Sequence, residues 1–219
     1  MRIKSLVSIF RSIWIFQLGF IRRRFLGDDK KRLFIDCGSN LGQGFSYFKK
    51  YFPLSKYDFI LMEPNPHCVR KLKEEFGDLP NVEILEKAVW TEDGTMKLFG
   101  LVEDHRGKVT TGASILSEHN SAYYEANEEQ ATEVDTIDFS SFLRSKFDYD
   151  EIVIKMDIEA SEYDVLEKMI DGGDLDKVEF MFVEFHSQYM VGEEHERFSA
   201  RERAIVSHMD ALHKLYIWH

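Results

Sequence analysis

Two carboxylates stand at the ends of neighbouring apolar runs. Asp36 follows the run 33–35 and opens a turn, 36–42, that contains two glycines, while Glu63 follows the run 59–62. A helix N-terminus after such a turn attracts the pyrophosphate of a dinucleotide, but a fixed negative charge at Asp36 repels it. S-adenosylmethionine (SAM) carries an ammonium and a sulfonium and no phosphate, so the pattern favours SAM. Glu63 is then placed to accept hydrogen bonds from both ribose hydroxyls.

The residues around these carboxylates complete a predicted cofactor site. Ala88 and Val89, which follow the third strand-like run, would form an apolar wall for the adenine, although core packing predicts the same pattern. The predicted cofactor-binding residues are Asp36, Gly38, Ser39, Asn40, Gly42, Glu63, Pro64, Asn65, Ala88, Val89 and Asp157.

Two further polar residues end strand-like runs later in the chain. Asp157 follows the run 152–156, and His186 follows the run 178–185. If SAM gives its methyl group to an acceptor alcohol, the transfer is an in-line displacement, which a general base accelerates about 10²- to 10⁴-fold. Both residues are predicted to be catalytic, and an acid could orient the His186 ring while the ring takes the proton. The alternatives are that Asp157 fixes the cofactor ammonium or a turn and that His186 is structural.

A second pair of acids follows Asp157. Glu159 and Glu162 lie three residues apart at the start of a predicted helix, where acids stabilise the helix N-terminus, so capping is the simpler interpretation. Together with Asp157 they could instead bind Mg²⁺, because three carboxylates suit that ion. We therefore assign no metal-binding residues from the sequence.

Strand-like runs alternate with helix-like segments along most of the chain, which predicts an α/β fold of parallel βαβ units. Ligands bind at the C-terminal ends of the strands in open α/β sheets. Asp36, Glu63, Asp157 and His186 are therefore expected at one rim of the sheet.

Two late elements and one polar segment complete the predicted domain. The run 178–186 predicts a strand, and 199–215 predicts a final amphipathic helix. The segment 102–130 is polar and weakly periodic, which is typical of a functional loop, and we expect it to cover the acceptor.

Composition limits the class of protein. The net charge is −11, and residues 1–32 hold nine Lys/Arg and two Asp/Glu, which leaves −18 for the remainder. An acidic body disfavours binding to nucleic acid, whose affinity rests on neutralising phosphates. The only cysteines, Cys37 and Cys68, cannot form a disulfide framework, which favours a cytoplasmic protein.

The N-terminal segment is both basic and apolar. Its run 12–21 is too short to span a bilayer, which needs about 20 residues. Residues 1–27 could lie on the inner face of an anionic membrane as an amphipathic helix, or pack on the catalytic domain. We predict a helix or tail over 1–30 and a single SAM-binding domain over 31–219.

The same residues carry a resemblance to a known family. The chain resembles the FkbM-type family of SAM-dependent methyltransferases through motifs at 34–42, 63–66, 87–89 with Gly94, 112–116, 134–138 and 155–166. The resemblance covers about residues 32–218 and departs at Ala160-Ser161, where the family has a glycine after the acid, and at Cys37. It implies a class I, Rossmann-like methyltransferase fold with a mostly parallel twisted sheet flanked by helices. It also implies SAM as donor and a hydroxyl on a sugar, polyketide or related small metabolite as acceptor.

The leading hypothesis is therefore a SAM-dependent O-methyltransferase. An amino-group methyltransferase is expected to carry Asn-Pro-Pro-Tyr-like residues where this chain has Asp157-Ile158-Glu159. An NAD(P)-dependent oxidoreductase is disfavoured by Asp36 and by the D-x-G-x-x-x-G spacing. A non-catalytic, membrane-associated binding protein is the third hypothesis.

Overall fold

In the computed structural model of the protein, residues 27, 29–101, 112–117 and 129–218 are described. Their strands and helices follow one another in an alternating order along most of the chain. The elements are β1 (Arg32–Cys37), α1 (Gln43–Phe48), β2 (Asp58–Met62), α2 (Pro66–Phe76), β3 (Val82–Leu85), β4 (Ala88–Trp90), β5 (Gly94–Leu98), β6 (Thr132–Asp138), α3 (Phe139–Arg144), β7 (Glu151–Met156), α4 (Glu162–Gly172), β8 (Val178–Val183), α5 (Gly192–Ala211) and β9 (Leu215–Ile217). Short 3₁₀ turns cover Asp174–Lys177 and Ser187–Tyr189.

The main sheet is parallel throughout its described strands. Six strands pair in the order β3-β2-β1-β7-β8-β9. The central strands β1 and β7 are almost wholly buried, which matches their near-continuous apolar sequences, because helices cover both faces of a parallel sheet. The predicted α/β class with a mostly parallel sheet flanked by helices is confirmed.

Two apolar clusters hold the helices against the two faces. On one face α1 contributes Phe45 and Phe48 to an aromatic cluster that includes Phe34 of β1 and Phe59 of β2. On the other face α4 and α5 pack residues such as Leu166 against the sheet. Each such buried side chain stabilises the fold by about 1.5–3 kcal/mol, so the strand ends are held on a rigid frame.

A smaller sheet lies beside the first. Its three described strands pair in the order β4-β6-β5, with β4 parallel and β5 antiparallel to β6. Phe99 and Ser114 form an isolated antiparallel bridge next to it, which brings the segment 112–117 against β5.

Two predicted boundaries differ from the structure. The helix predicted over 199–215 begins at Gly192 and ends at Ala211. Its first turn contains Glu193 and Glu194, which stabilise a helix N-terminus by charge although they add no apolar periodicity. The strand predicted over 178–186 ends at Val183, so His186 lies in the loop beyond it.

Some predictions concern residues that the structure does not describe. The amphipathic helix and membrane contact of residues 1–27, and most of the acceptor loop over 102–130, lie outside the described residues. The boundary between 1–30 and 31–219 also stays a prediction. No helix in the described part of the chain is long and apolar enough to cross a membrane.

Candidate active site

A cavity opens at the C-terminal ends of β1, β2 and β7. Its enclosed volume is about 100 Å³, and the open space at its mouth brings the total to about 650 Å³. The sequence-predicted residues that line it are Gly38, Asn40, Glu63, Pro64, Ala88, Val89 and Asp157. The remaining described lining residues are Met62, Lys87, Leu98, Gly112, Ala113, Ile115, Ile158, Glu159 and Ser161.

The glycine turn joins three strand ends. The amides of Gly38 and Ser39 both donate to the Met62 carbonyl, at 2.9 and 3.0 Å. Gly38 has φ of 76°, and a Cβ on it would lie 1.8 Å from the Asp157 carbonyl oxygen. Only glycine fits this position, because a side chain would force the turn away from the end of β7.

Asp36 does not line the cavity. It is fully buried, and the Lys155 Nζ lies 3.2 Å from its Oδ1. The parallel register of β1 and β7 places these two residues opposite each other. A Cβ on Gly44 would lie 3.1 Å from Asp36 Oδ2, so glycine lets α1 approach the carboxylate closely.

Lys155 connects Asp36 to the cavity wall. Its ammonium also lies 3.4 Å from Asp157 Oδ2 and donates to the Gly38 carbonyl at 2.7 Å. Burial raises the pKa of Asp36, and Lys155 partly offsets this effect. Burial opposes the charge on Lys155, but Asp36 and Asp157 outweigh it and raise the Lys155 pKa. The ammonium therefore ties the turn, β1 and Asp157 together.

Glu63 lines the cavity as predicted and is held by backbone amides. Its Oε2 accepts from the Asn40 amide at 2.8 Å, and its Oε1 accepts from the Asn65 amide at 2.9 Å. Burial raises the pKa of Glu63 to about 7, against the opposing effect of these two hydrogen bonds. Each oxygen keeps acceptor capacity, since a carboxylate oxygen has two lone pairs.

Four other predicted residues do not line the cavity. Ser39 donates through Oγ to the Asp36 carbonyl at 2.8 Å, and Asn65 caps α2 by accepting from the His67 amide. Gly42 has φ of 82° and packs where a Cβ would meet Phe76. These three shape the turn and the helix start. The fourth, His186, lies behind the lining carboxylates.

His186 is buried among three carboxylates. Its Nε2 lies 3.6 Å from Asp157 Oδ1 and 3.3 Å from Glu159 Oε2. On the other side of the ring, Glu162 Oε1 lies 3.0 Å from Nδ1 and accepts from the His186 backbone amide at 3.1 Å. The structure thus brings the two predicted catalytic residues, Asp157 and His186, into one cluster.

The charges of this cluster decide which group can accept a proton. Burial opposes protonation of His186, but Glu162, Glu159 and Asp157 outweigh it and raise its pKa to about 10. A ring that already carries its second proton at neutral pH cannot take another. Burial also raises the pKa of Glu159 to about 7, although His186 opposes the shift. The raised pKa of His186 favours the carboxylates over the ring as proton acceptors.

The apolar wall comes from both sheets and from the segment 112–117. Ala88 and Val89 are each 3% exposed, and Leu98 and Ile115 line the cavity beside them. Ser114, buried in that segment, donates through Oγ to the Glu159 carbonyl at 2.6 Å. The segment is therefore fastened directly to the turn that carries the carboxylates.

Sequence reasoning missed two residues of this site. A lysine inside the apolar run of β7 is itself a signal, because a buried lysine needs an acidic partner, yet it did not identify Lys155. The capping interpretation of Glu159 is wrong, because this residue precedes Ser161, the N-cap of α4, and lines the cavity.

The solved structures that match the chain include two methyltransferases and one protein complex. The crystal structure of methyltransferase FkbM from Methylobacillus flagellatus KT has a TM-score of 0.47 and 13% identity, covering 86% of this chain and 40% of its own. The plantazolicin methyltransferase BpumL, solved in complex with SAH, has a TM-score of 0.36 and 9% identity, covering 93% and 65%. A fibrillarin/Nop5p complex has a TM-score of 0.37 and 11% identity, covering 83% and 63%. The chain thus spans less than two thirds of each of these proteins.

No curated protein matches the chain. The sequence pattern described as the Methyltransferase FkbM domain does match, over residues 36–206, which is most of the chain. This match includes the glycine turn, Glu63, Asp157 and His186, and it confirms the resemblance stated from the motifs. The chain therefore belongs to the FkbM methyltransferase family, and this membership makes SAM its cofactor.

Proposed function

We propose that the protein is a SAM-dependent O-methyltransferase that methylates a hydroxyl of a sugar, glycan or related small metabolite. One observation carries the proposal: a single cavity is lined by Glu63, by Asp157 and by an apolar wall. The first suits a ribose, the second suits an alcohol proton, and the wall suits an adenine.

The residues present fit the cofactor. Glu63 is fixed by two amides and retains lone pairs for the ribose hydroxyls. Gly38 lines the cavity with backbone alone, and a Cβ there would lie 1.8 Å from the Asp157 carbonyl oxygen and displace the turn. The carboxylates of Asp157 and Glu159 suit a ligand that carries positive charge and no phosphate.

The bound cofactor supplies an electrophilic methyl group on a sulfonium. The chain's own residues then position the acceptor and remove its proton, which is most of the catalytic task in an in-line displacement. Asp157, whose side chain is 26% exposed, is the proposed proton acceptor. Lys155 and His186 hold its two oxygens from opposite directions, at 3.4 and 3.6 Å. His186 is thus a positioning residue for Asp157, a role that differs from the proton relay expected from the sequence.

The choice of a hydroxyl acceptor rests on the same residues. An alcohol must lose a proton as it attacks, and the cavity provides carboxylates for that purpose. We further propose a cytoplasmic location, no role in nucleic-acid binding, and peripheral contact with the inner face of a membrane through residues 1–27. Loss of binding to anionic liposomes on deletion of residues 1–27 would support that contact, and unchanged binding would exclude it.

The test of the function is methyl transfer from labelled SAM into fractionated extracts of the source cells, followed by identification of the product. We expect label on an ether oxygen of a sugar or small metabolite. Asp157→Asn should lower kcat by about 10²-fold or more, an effect larger than the loss of SAM affinity that follows from removing its charge. Label on nitrogen or carbon, or full activity in Asp157→Asn, would contradict the proposal.

Calorimetry separates the alternative functions. Binding of SAM without NAD⁺ is expected, and the reverse result would favour the oxidoreductase. A non-catalytic binding protein would bind SAM without turnover, and Asp157→Asn would leave its biological activity intact.

A further inference from the structure

Three metal-ligating side chains converge beside the cavity from two different strand ends. Asp157 and Glu159 follow β7, His186 follows β8, and one donor atom of each lies within 4.8 Å of the others. His186 Nε2 is 3.3 Å from Glu159 Oε2 and 3.6 Å from Asp157 Oδ1. Neighbouring ligands bound to one ion at about 2.1 Å are roughly 3.0–3.4 Å apart, so small side-chain shifts would complete the site.

The His186 ring is oriented as it is in many metal sites. Glu162 is fully buried and holds Nδ1 at 3.0 Å, which turns Nε2 toward the two lining carboxylates. Metal-ligating histidines almost always have a carboxylate or carbonyl on the other ring nitrogen. Glu162, which the sequence suggested as a ligand, therefore stands behind the ring as its support.

Independent polar atoms lack partners at this place. Ser161 is 1% exposed and lines the cavity beside Asp157 and Glu159, yet its Oγ has no hydrogen-bond partner among the described residues. The second oxygen of Glu162, Oε2, is buried and has no hydrogen-bond partner there either. Such atoms cost free energy unless something pairs with them. A hydrated ion in the cavity would bring water within reach of an orphan hydroxyl.

The local charge is also unbalanced. Glu184 adds a fourth carboxylate that interacts with His186 and Asp157. Against these four carboxylates stand His186 and Lys155, of which Lys155 is shared with Asp36. A bound cation would offset the surplus negative charge.

We propose that Asp157, Glu159 and His186 form a binding site for a divalent cation of the Mg²⁺ and Mn²⁺ class, at the edge of the cofactor cavity. Two carboxylates and one imidazole, whose Nε2 must release its proton to bind the ion, occupy three positions and leave the others for water or a substrate oxygen. Ligation through one oxygen of Asp157 leaves its second oxygen for the role proposed above. That the ion binds the acceptor hydroxyl rests on the proposed function, whereas the site itself does not.

The test is titration of the full chain with Mn²⁺ in the absence of SAM and acceptor. The electron paramagnetic resonance signal of free Mn²⁺ monitors the titration. We expect one bound ion per chain, with affinity at least about 10-fold weaker in Glu159→Gln and in His186→Gln. Glu184→Gln is the matched control, because it removes a charge from the same region but no ligand, and should change the affinity less than about 3-fold. Urea unfolding of each variant confirms that it is folded. If His186→Gln does not fold, the comparison of Glu159→Gln with Glu184→Gln tests the site alone.

Absence of binding by the parent chain at 1 mM Mn²⁺, on the order of the weakest specific sites, would overturn the proposal. Equal loss in Glu184→Gln would overturn it too, because the ion would then be held by diffuse charge. A chain that binds Mn²⁺ but transfers no methyl group would contradict the proposed function alone, and methyl transfer without Mn²⁺ binding would contradict the metal site alone.

Discussion

Two clusters of a cation with carboxylates lie a few residues apart at the same rim, yet they are built differently. The Asp36–Lys155 cluster is closed: both side chains are buried, and Gly44 lets α1 approach the carboxylate. The cluster around His186 is open, because Glu159 and Asp157 line the cavity while the ring lies behind them.

This difference separates the residues that support the fold from those that can act on a ligand. The closed cluster pairs one ammonium with one buried carboxylate, so removal of either leaves an uncompensated charge. The open cluster has more carboxylates than cations, so a positively charged ligand in the cavity can offset its surplus negative charge. Asp157 touches both clusters, because Lys155 faces its Oδ2 and His186 faces its Oδ1.

The largest predicted effect comes from breaking the closed cluster. Lys155→Met should lower the free energy of unfolding by about 3–5 kcal/mol, because it leaves Asp36 buried without its partner. The double variant Asp36→Asn with Lys155→Met should recover at least about half of this loss. Urea unfolding measures both, and Glu159→Gln, in the open cluster, should change stability by less than about 1 kcal/mol.

The comparison would fail if the two clusters behaved alike. A Glu159→Gln variant as unstable as Lys155→Met would show that the open cluster also supports the fold. A double variant no more stable than Lys155→Met would show that the lysine acts through its bond to Gly38, and not through Asp36.

The next effect tests the glycine turn between the two clusters. Gly38→Ala should destabilise the fold by about 2–4 kcal/mol and abolish SAM binding, because a Cβ at φ of 76° lies 1.8 Å from the Asp157 carbonyl. Gly173→Ala is the matched control, since Gly173 has φ of 70° and no atom within 4 Å of a Cβ. It should cost about 1 kcal/mol and leave SAM binding unchanged. Equal effects of the two variants on calorimetric SAM binding would refute the close approach.

A third prediction uses the pH dependence of Glu63, which belongs to neither cluster. Ribose hydroxyls donate better to a carboxylate, so SAM affinity should rise as the pH increases through about 7, the pKa to which burial raises Glu63. Glu63→Gln should weaken SAM binding about 10- to 100-fold and flatten this part of the profile. Calorimetry between pH 6 and pH 8, a window on the order of one pKa unit to each side, measures the change. A profile that is unaltered in Glu63→Gln would assign the pH dependence to another group.

The same group has the opposite effect on stability. The folded pKa of Glu63 is raised above the unfolded value, so its contribution to stability is full below about pH 4.5. That contribution is lost as the pH rises through about 7, because the buried carboxyl must then ionise. Without SAM, the stability of Glu63→Gln against urea, measured relative to the parent chain at the same pH, should therefore be higher at pH 8 than at pH 5.

The parallel sheet and its rim could be predicted from the sequence. Asp36, Glu63 and Asp157 each follow or end an apolar run, and parallel strands bring their C-terminal ends to one edge. Each pattern is local in the sequence, and a parallel sheet brings all of them to the same edge. The glycine turn is equally local, and it lies against the end of β7.

The contacts that assign a role to each residue of the rim could not be predicted, because they depend on strand register and on the positions of loops. The pairing of Asp36 with Lys155 needs the alignment of two strands that are more than a hundred residues apart. The position of Glu162 behind His186 needs the start of α4 to meet the loop after β8. Neither contact leaves a periodic signal in the sequence.

The smallest predicted effect concerns the turn that carries the open cluster. Ala160 has φ of 76° and is fully buried, in the turn between β7 and α4. The left-handed conformation costs a non-glycine residue roughly 1–2 kcal/mol. Ala160→Gly relieves this strain but loses a buried methyl group, worth about 0.8 kcal/mol, and increases the entropy of the unfolded chain by a similar free energy. The net change in the free energy of unfolding should therefore stay within about 1 kcal/mol of zero.

The control for this variant is Ala204→Gly on the exposed side of α5. It gains the same entropy in the unfolded chain without relieving strain, so it should cost about 1 kcal/mol. Urea unfolding should place Ala160→Gly at or above Ala204→Gly in stability, even though Ala160 is the buried residue of the two. If Ala160→Gly is the less stable by more than about 1 kcal/mol, the methyl group outweighs the strain, and the turn that presents Glu159 is held by packing against the core.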